Sequence, residues 1–155
     1  MPLLRRDCSR DLTLAWRIDA PRARVWQCIT DTELISQWLG RVTDGAVDAG
    51  SGFVVDHGDG YLCRSIVRAR IEARRLAFTW AFPDEPESEV VLELDESADG
   101  TELRLTHSEL GDLTTSYRDG WCVHLTYLEA AALATPMPAS MFWQLHGTIA
   151  ALNAR

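Results

Sequence analysis

Residues 100–134, GTELRLTHSELGDLTTSYRDGWCVHLTYLEAAALA, join two different periodicities. Leu103, Leu105 and His107 alternate with polar neighbours, the period of two that puts every second side chain on one face of a strand. From Leu113 the step lengthens: Leu113, Tyr117, Trp121, His124, Leu125, Leu128 and Ala132 recur at three and four residue intervals, the stripe of an amphipathic helix over 111–134. Thr135-Pro136-Met137-Pro138 ends it, because proline supplies no helical N–H. A strand with one apolar face, followed by a long helix with one apolar stripe, predicts two layers with the helix laid across a sheet.

Upstream, alternation repeats in Val90, Leu92 and Leu94, and in Leu76, Phe78, Trp80 and Phe82, with turns at Pro83-Asp84-Glu85-Pro86 and Ala98-Asp99-Gly100. A longer strand over 61–73 places Cys63, Ser65, Val67, Ala69 and Ile71 on one face, and Arg64, Arg68, Arg70 and Glu72 on the other, with Ile66 the exception. Gly45, Gly50, Gly52, Gly58 and Gly60 punctuate short runs such as Ala46-Val47-Asp48 and Phe53-Val54-Val55, as hairpins require. Leu12, Leu14, Trp16 and Ile18 mark a first strand at 10–19. Pro21 then opens two short helices within 21–39, with Val25, Trp26 and Ile29 on the first and Leu34, Ile35 and Trp38 on the second. The break falls at Thr30-Asp31, either of which can cap the second helix. Ser140 is positioned to cap a short last helix whose Met141, Phe142, Leu145, Ile149 and Leu152 share a face. The whole predicts an α+β fold: a curved antiparallel sheet on a long helix, short connections throughout, and space between helix and sheet for a cavity.

A chain of 155 residues is one domain's worth, with a core at about 10–134 and a C-terminal extension at 135–155. The net charge of -8 repels phosphate backbones and anionic lipid surfaces, so neither nucleic acid nor membrane is an expected partner. All 15 basic residues are arginine, which removes lysine Schiff-base chemistry and a phosphate-loop lysine. Met1–Asp7 has neither the apolar run nor the cleavage site of a signal peptide, so the expected location is the cytoplasm. Cys8, Cys28, Cys63 and Cys122 are widely spaced, and reduced thiols are expected. Gly50-Ser51-Gly52 and Gly58-Asp59-Gly60 are turns, since neither completes a phosphate-cradling motif nor leads into a helix. No nucleophile elbow of the G-x-S-x-G type is present.

Ile18-Asp19-Ala20-Pro21-x-x-x-Val25-Trp26 with Thr30-Asp31 and Trp38, then Leu76-x-Phe78-Thr79-Trp80, then Gly100-Thr101-x-Leu103-x-Leu105-Thr106-His107-Ser108, then Gly120-Trp121-x-x-x-Leu125-x-x-Leu128, occur in one order. Together they resemble the SRPBCC superfamily (START-like), in the branch similar to the activator of heat-shock protein 90 ATPase. The resemblance implies the helix-grip fold, shared with START domains and the birch pollen allergen. It licenses a cavity rather than a reaction, because that superfamily includes lipid carriers, polyketide cyclases and aromatases, hydrolase-like proteins and co-chaperone domains. The co-chaperones carry an additional N-terminal domain, for which a first strand near residue 10 leaves no room.

Eight side chains are candidates for the cavity wall: Trp38, Phe53, Trp80, Phe82, His107, Tyr117, Trp121 and Leu125. His107 lies on the covered face of its strand, and Tyr117 and Trp121, four apart, form an aromatic wall with polar handles. His107 with Glu109, or with Tyr117, is the candidate acid–base pair. Cys122 and His124 diverge on their helix, and His57, His107 and His146 are tens of residues apart, so neither a metal nor another cofactor is expected. The leading expectation is therefore a non-enzymatic binding protein for a small apolar or aromatic ligand, as a monomer or homodimer. The alternatives are a co-chaperone-like module that docks on a chaperone or other protein, and a cyclase-like or hydrolase-like enzyme using His107.

Overall fold

The computed structural model describes residues 11–155; Cys8 and the Met1–Asp7 segment lie outside them. The elements are β1 (Leu12–Ile18), α1 (Arg22–Thr30), α2 (Thr32–Ile35), β2 (Arg41–Gly45), β3 (Gly52–Asp56), β4 (Leu62–Ile71), β5 (Arg75–Trp80), β6 (Ser88–Ser97), β7 (Gly100–Ser108), α3 (Thr114–Ala132) and α4 (Phe142–Asn153). The strands form one antiparallel sheet in the order β1-β7-β6-β5-β4-β3-β2, a meander whose first strand returns to pair with the last. This is the α+β, helix-grip arrangement, with α3 as the long helix.

Register explains where the core sits. Leu14 pairs with Leu105, Leu105 with Leu92, and Leu92 with Leu76, so four leucines from four strands form one row. All four are essentially inaccessible to solvent, as are Leu125 and Leu128 of α3. The neighbouring row runs Leu12, His107, Val90, Phe78 and Val67.

The ends of the helices are tied to one another. Asp31 caps α2 by accepting the amides of Glu33 and Leu34. Arg24 of α1 donates to the carbonyls of Ala131 and Ala132 at the end of α3, which ties the two helices together. Trp38 donates its indole N–H to the Cys28 carbonyl at 2.9 Å, fastening the chain after α2 to α1.

Four expectations are corrected. A β-bulge between Val67 and Ala69 shifts the register of β4 by one residue, which reverses the faces beyond it. Ile71 is therefore 51% exposed, whereas Arg70 turns inward, donates to the Val47 carbonyl and lies 5.6 Å over the Trp26 ring. Thr79 Oγ1 accepts the Ile66 amide beside the bulge. Ala46-Val47-Asp48 is not a strand: β2 ends at Gly45, which has φ +77° and whose Cβ would fall 2.0 Å from the Gly52 carbonyl oxygen. Val47 instead plugs into the core from the turn that follows. Ser140 does not cap the last helix but lies in a 3₁₀ turn before it, and Leu152 is 58% exposed because only Phe142, Leu145 and Ile149 reach inward.

Cys28, Cys63 and Cys122 are buried and form no disulfide among the described residues, and burial pushes Cys63 up to about 12, out of range of thiolate chemistry at neutral pH. No helix among the described residues is long and apolar enough to cross a membrane. Because Leu105 sits at the centre of the leucine row, Leu105→Ala is expected to cost about 2–5 kcal/mol, measured by urea unfolding.

Candidate functional site

The helix and the sheet are packed shut along the leucine rows and part at the end where β5 runs out. There a cleft of about 790 Å³ opens between α3, the β5 end, the hairpin that joins β3 to β4, and residues 136–146. Trp80 and Phe82 form the sheet side. Tyr117, Gly120, Trp121, His124 and Tyr127 form the helix side, since these positions fall on one face of α3 at three and four residue steps. Trp38 closes the bottom, and Met137, Phe142, Trp143 and His146 form the outer wall.

Of the eight expected wall residues, Trp38, Trp80, Phe82, Tyr117 and Trp121 line the cleft. Phe53, His107 and Leu125 lie behind it: Phe53 packs edge-on against Phe78 at 5.6 Å, and Leu125 is fully buried. Sequence reasoning missed the hairpin-tip residues His57 and Tyr61 and the tail residues Phe142, Trp143 and His146. Phe142 belongs to the apolar face expected for the last helix, which gives no sign of where that helix docks, and the other four lie outside the apolar stripes. His124 was visible in the stripe of α3, but its role depends on partners from elsewhere in the chain.

His107 is held by a chain of hydrogen bonds. Trp121 donates its indole N–H to His107 Nδ1 at 2.9 Å, and an indole can only donate, so Nδ1 must carry the lone pair. The proton of the neutral ring is then on Nε2, which donates to Ser88 Oγ at 2.7 Å, and Ser88 in turn donates to the Trp80 carbonyl. Protonating Nδ1 would set two donors face to face. Burial acts in the same direction and lowers His107 to about 3. With its lone pair occupied, His107 has none to offer as a base; it positions Trp121 and the ends of β6 and β7. Glu109 does not join it. A left-handed backbone at Glu109 (φ 64°) breaks the alternation, leaving the side chain exposed while its amide donates to Asp11.

The tyrosine hydroxyls around the cleft are spoken for in a similar way. Tyr117 accepts the Trp80 indole N–H at 2.9 Å and donates to Glu85. Burial and that carboxylate both raise the pKa of the phenol. Tyr61 stacks on Phe82 with ring centroids 4.1 Å apart and donates to Asp84, and Tyr127 donates to the Pro138 carbonyl. Asp56 accepts the Gly58 and Gly60 amides, which shapes the hairpin tip that carries His57.

Three of the four histidines of the chain, His57, His124 and His146, line the cleft although they are far apart in sequence, and His107 lies behind it. His57 lies edge-on to Trp80, Phe82 and His124, with centroids 5.4, 5.1 and 5.8 Å away. Burial lowers His57 to about 3 and His124 to about 4; each is also disfavoured as a cation by a histidine neighbour. The Nε2 of His57 is buried and has no hydrogen-bond partner among the described residues. No group of three or more His, Cys, Asp or Glu side chains among the described residues could hold a metal ion.

Residues 19–132 match the family model described as Activator of Hsp90 ATPase homolog 1-like protein, well over half of the chain. The chain belongs to that family. Among solved structures, CalU16 from Micromonospora echinospora is 26% identical, with a TM-score of 0.74 over 90% of this chain and 83% of its own. DynU16, from the dynemicin biosynthetic locus, is 27% identical with a TM-score of 0.74 over 82% of this chain. The match covers 48% of DynU16, so this chain corresponds to about half of that protein. The Aha1 dimer from Colwellia psychrerythraea, at 22% identity and a TM-score of 0.69 over 79% of this chain and 95% of its own, shares the fold. No curated protein sequence matches the chain. The family match ends at the last residue of α3, so the outer wall formed by residues 136–146 lies beyond it.

Two expectations follow from the state of His107. His107→Leu leaves the Trp121 indole N–H unpaired and removes the donor to Ser88, which is expected to cost about 2–4 kcal/mol in urea unfolding at pH 7.5. Because folding holds His107 near 3, below an unfolded value of about 6.5, the unfolded chain takes up the proton first as pH falls. Its contribution is complete above about 6.5 and shrinks below it, by up to about 1.4 kcal/mol per pH unit, until the folded value is reached. Wild-type stability measured from pH 7 to pH 4.5 should therefore fall more steeply than that of His107→Leu.

Proposed function

We propose that this protein binds a small, mostly apolar, ring-containing molecule in the cleft between α3 and the end of the sheet. The cleft itself carries the reading. Its volume, about 790 Å³, falls within the roughly 300–1,000 Å³ of small-molecule sites, and aromatic rings from the sheet, the long helix and the tail face it. Flat rings present large apolar area at low conformational cost, and they favour edge-on or offset contact with another ring. The polar groups that have internal partners, such as the hydroxyls of Tyr117 and Tyr127, add little demand for a strongly polar guest.

Binding, rather than turnover, suits a site whose buried histidine has its lone pair already committed to an indole donor. The relative from a biosynthetic locus supports a small-molecule occupant over a protein one. The helix gives a direct way to test the cleft. Gly120 lies on its wall, and a Cβ there would meet no atom within 4 Å. Gly120→Leu is expected to leave the fold intact, with stability raised by up to about 1 kcal/mol from helix propensity, while its side chain occupies the cleft.

Titration with N-phenyl-1-naphthylamine, a neutral dye that fluoresces in apolar surroundings, should show saturable one-to-one binding to the wild type. Gly120→Leu should weaken that binding at least ten-fold with an unchanged circular dichroism spectrum. Equal dye binding by the two proteins, or none by the wild type, would overturn the reading.

A further inference from the structure

We propose that the cleft selects a neutral hydroxylated aromatic molecule, whose hydroxyl group donates to Nε2 of His124 while its ring lies among the aromatic side chains. This rests on the small-molecule reading above and names the chemistry of the occupant. It comes from an inventory of hydrogen-bonding capacity. His124 Nδ1 faces the Trp38 carbonyl oxygen at 2.8 Å, and a carbonyl can only accept, so Nδ1 carries the proton. In the neutral ring Nε2 then carries the lone pair, on a side chain that lines the cleft. His57 stands 5.8 Å away, nearly perpendicular to it, with its own buried Nε2 unmatched among the described residues. Burial favours the neutral form of both imidazoles, and His124 beside His57, like His146 beside His124, acts in the same direction. The hydroxyls of Tyr61, Tyr117 and Tyr127, by contrast, already donate to Asp84, Glu85 and Pro138.

An acceptor unclaimed among the described residues, set among aromatic rings, calls for a guest with one donor on a flat apolar frame. A carboxylate guest would bring a negative charge toward Glu85 and Asp56 and would give His124 no proton. An ammonium guest has donors, but its hydration would have to be stripped inside a ring-lined site whose nearest carboxylates already hold Tyr117 and Arg41. A neutral aromatic hydroxyl satisfies the acceptor and buries the rest of its surface.

The test uses matched naphthalenes on the full chain: 2-naphthol, 2-methoxynaphthalene, which keeps the ring and removes the donor, 2-naphthoate and 2-naphthylmethylamine. Displacement of N-phenyl-1-naphthylamine reports the affinities. In the wild type, 2-naphthol is expected to bind at least ten-fold tighter than 2-methoxynaphthalene, and tighter than the anion or the amine. In His124→Phe the two neutral probes should bind equally, and His124→Gln, which restores an acceptor, should recover part of the preference. For a readout that needs no variant, the ¹⁵N resonance of His124 Nε2 in the wild type should move on adding 2-naphthol and stay in place with 2-methoxynaphthalene. Equal binding of the two neutral probes by the wild type, tighter binding of the amine, or an unmoved Nε2 resonance would overturn the proposal while leaving dye binding intact. Failure of the dye and every naphthalene to bind would overturn the small-molecule reading beneath it.

Discussion

One helix of 19 residues has to cover a sheet of seven strands, and that constraint organises the molecule. At about 1.5 Å per residue α3 is about 28 Å long, and seven strands about 4.8 Å apart span about 29 Å. The helix thus matches the sheet's width, but it is only about 10 Å across against about 33 Å for a ten-residue strand such as β6, so it shields the middle of the sheet and not the strand ends. The leucine row from Leu14 to Leu76 fills the middle with little space to spare, and α1 and α2 join the core through Val25, Trp26, Ile29 and Ile35. At the end of β5 the sheet and the helix diverge, and the chain meets the gap with rings rather than aliphatic side chains. Cleft and core are two outcomes of the same geometry.

Rings filling a gap bring polar atoms with them, and those atoms must be satisfied where water is excluded. Trp121, His107, Ser88 and Trp80 do this in series, each indole, imidazole and hydroxyl fixing the role of the next. Trp80 also donates to Tyr117, which donates to Glu85, so the back of the cleft is one connected network. A network of this kind orients its members narrowly, because turning one ring would leave two buried groups unmatched. It makes the back wall rigid and leaves adaptability to the front. There Phe142 rests against His124 and Tyr127, Asn153 donates to Asp119, and Trp143 is 72% exposed.

The family relationship fits this division. The matched residues, 19–132, contain the sheet from β2 onward, the short helices and α3, and hence the back wall. The front wall, from residues 136–146, lies outside the match. The family-matched residues thus supply the back wall of the cleft, and residues 136–146 supply its outer surface.

The sequence by itself determined the order and type of the elements, the antiparallel sheet and the long helix, because period two, period 3.6 and turn residues are local signals carried by neighbouring positions. It also named five cleft residues, since aromatic side chains on inward faces at element ends are visible in the same patterns. It misplaced Arg70 and Ile71, because a one-residue bulge in β4 leaves no local mark yet reverses every face beyond it. Only the tertiary structure decided which His107 nitrogen carries the proton, that Glu109 turns away, and that His57, His124 and His146 meet at one cleft. Those outcomes depend on partners tens of residues distant, and on whether an approaching group can donate or only accept.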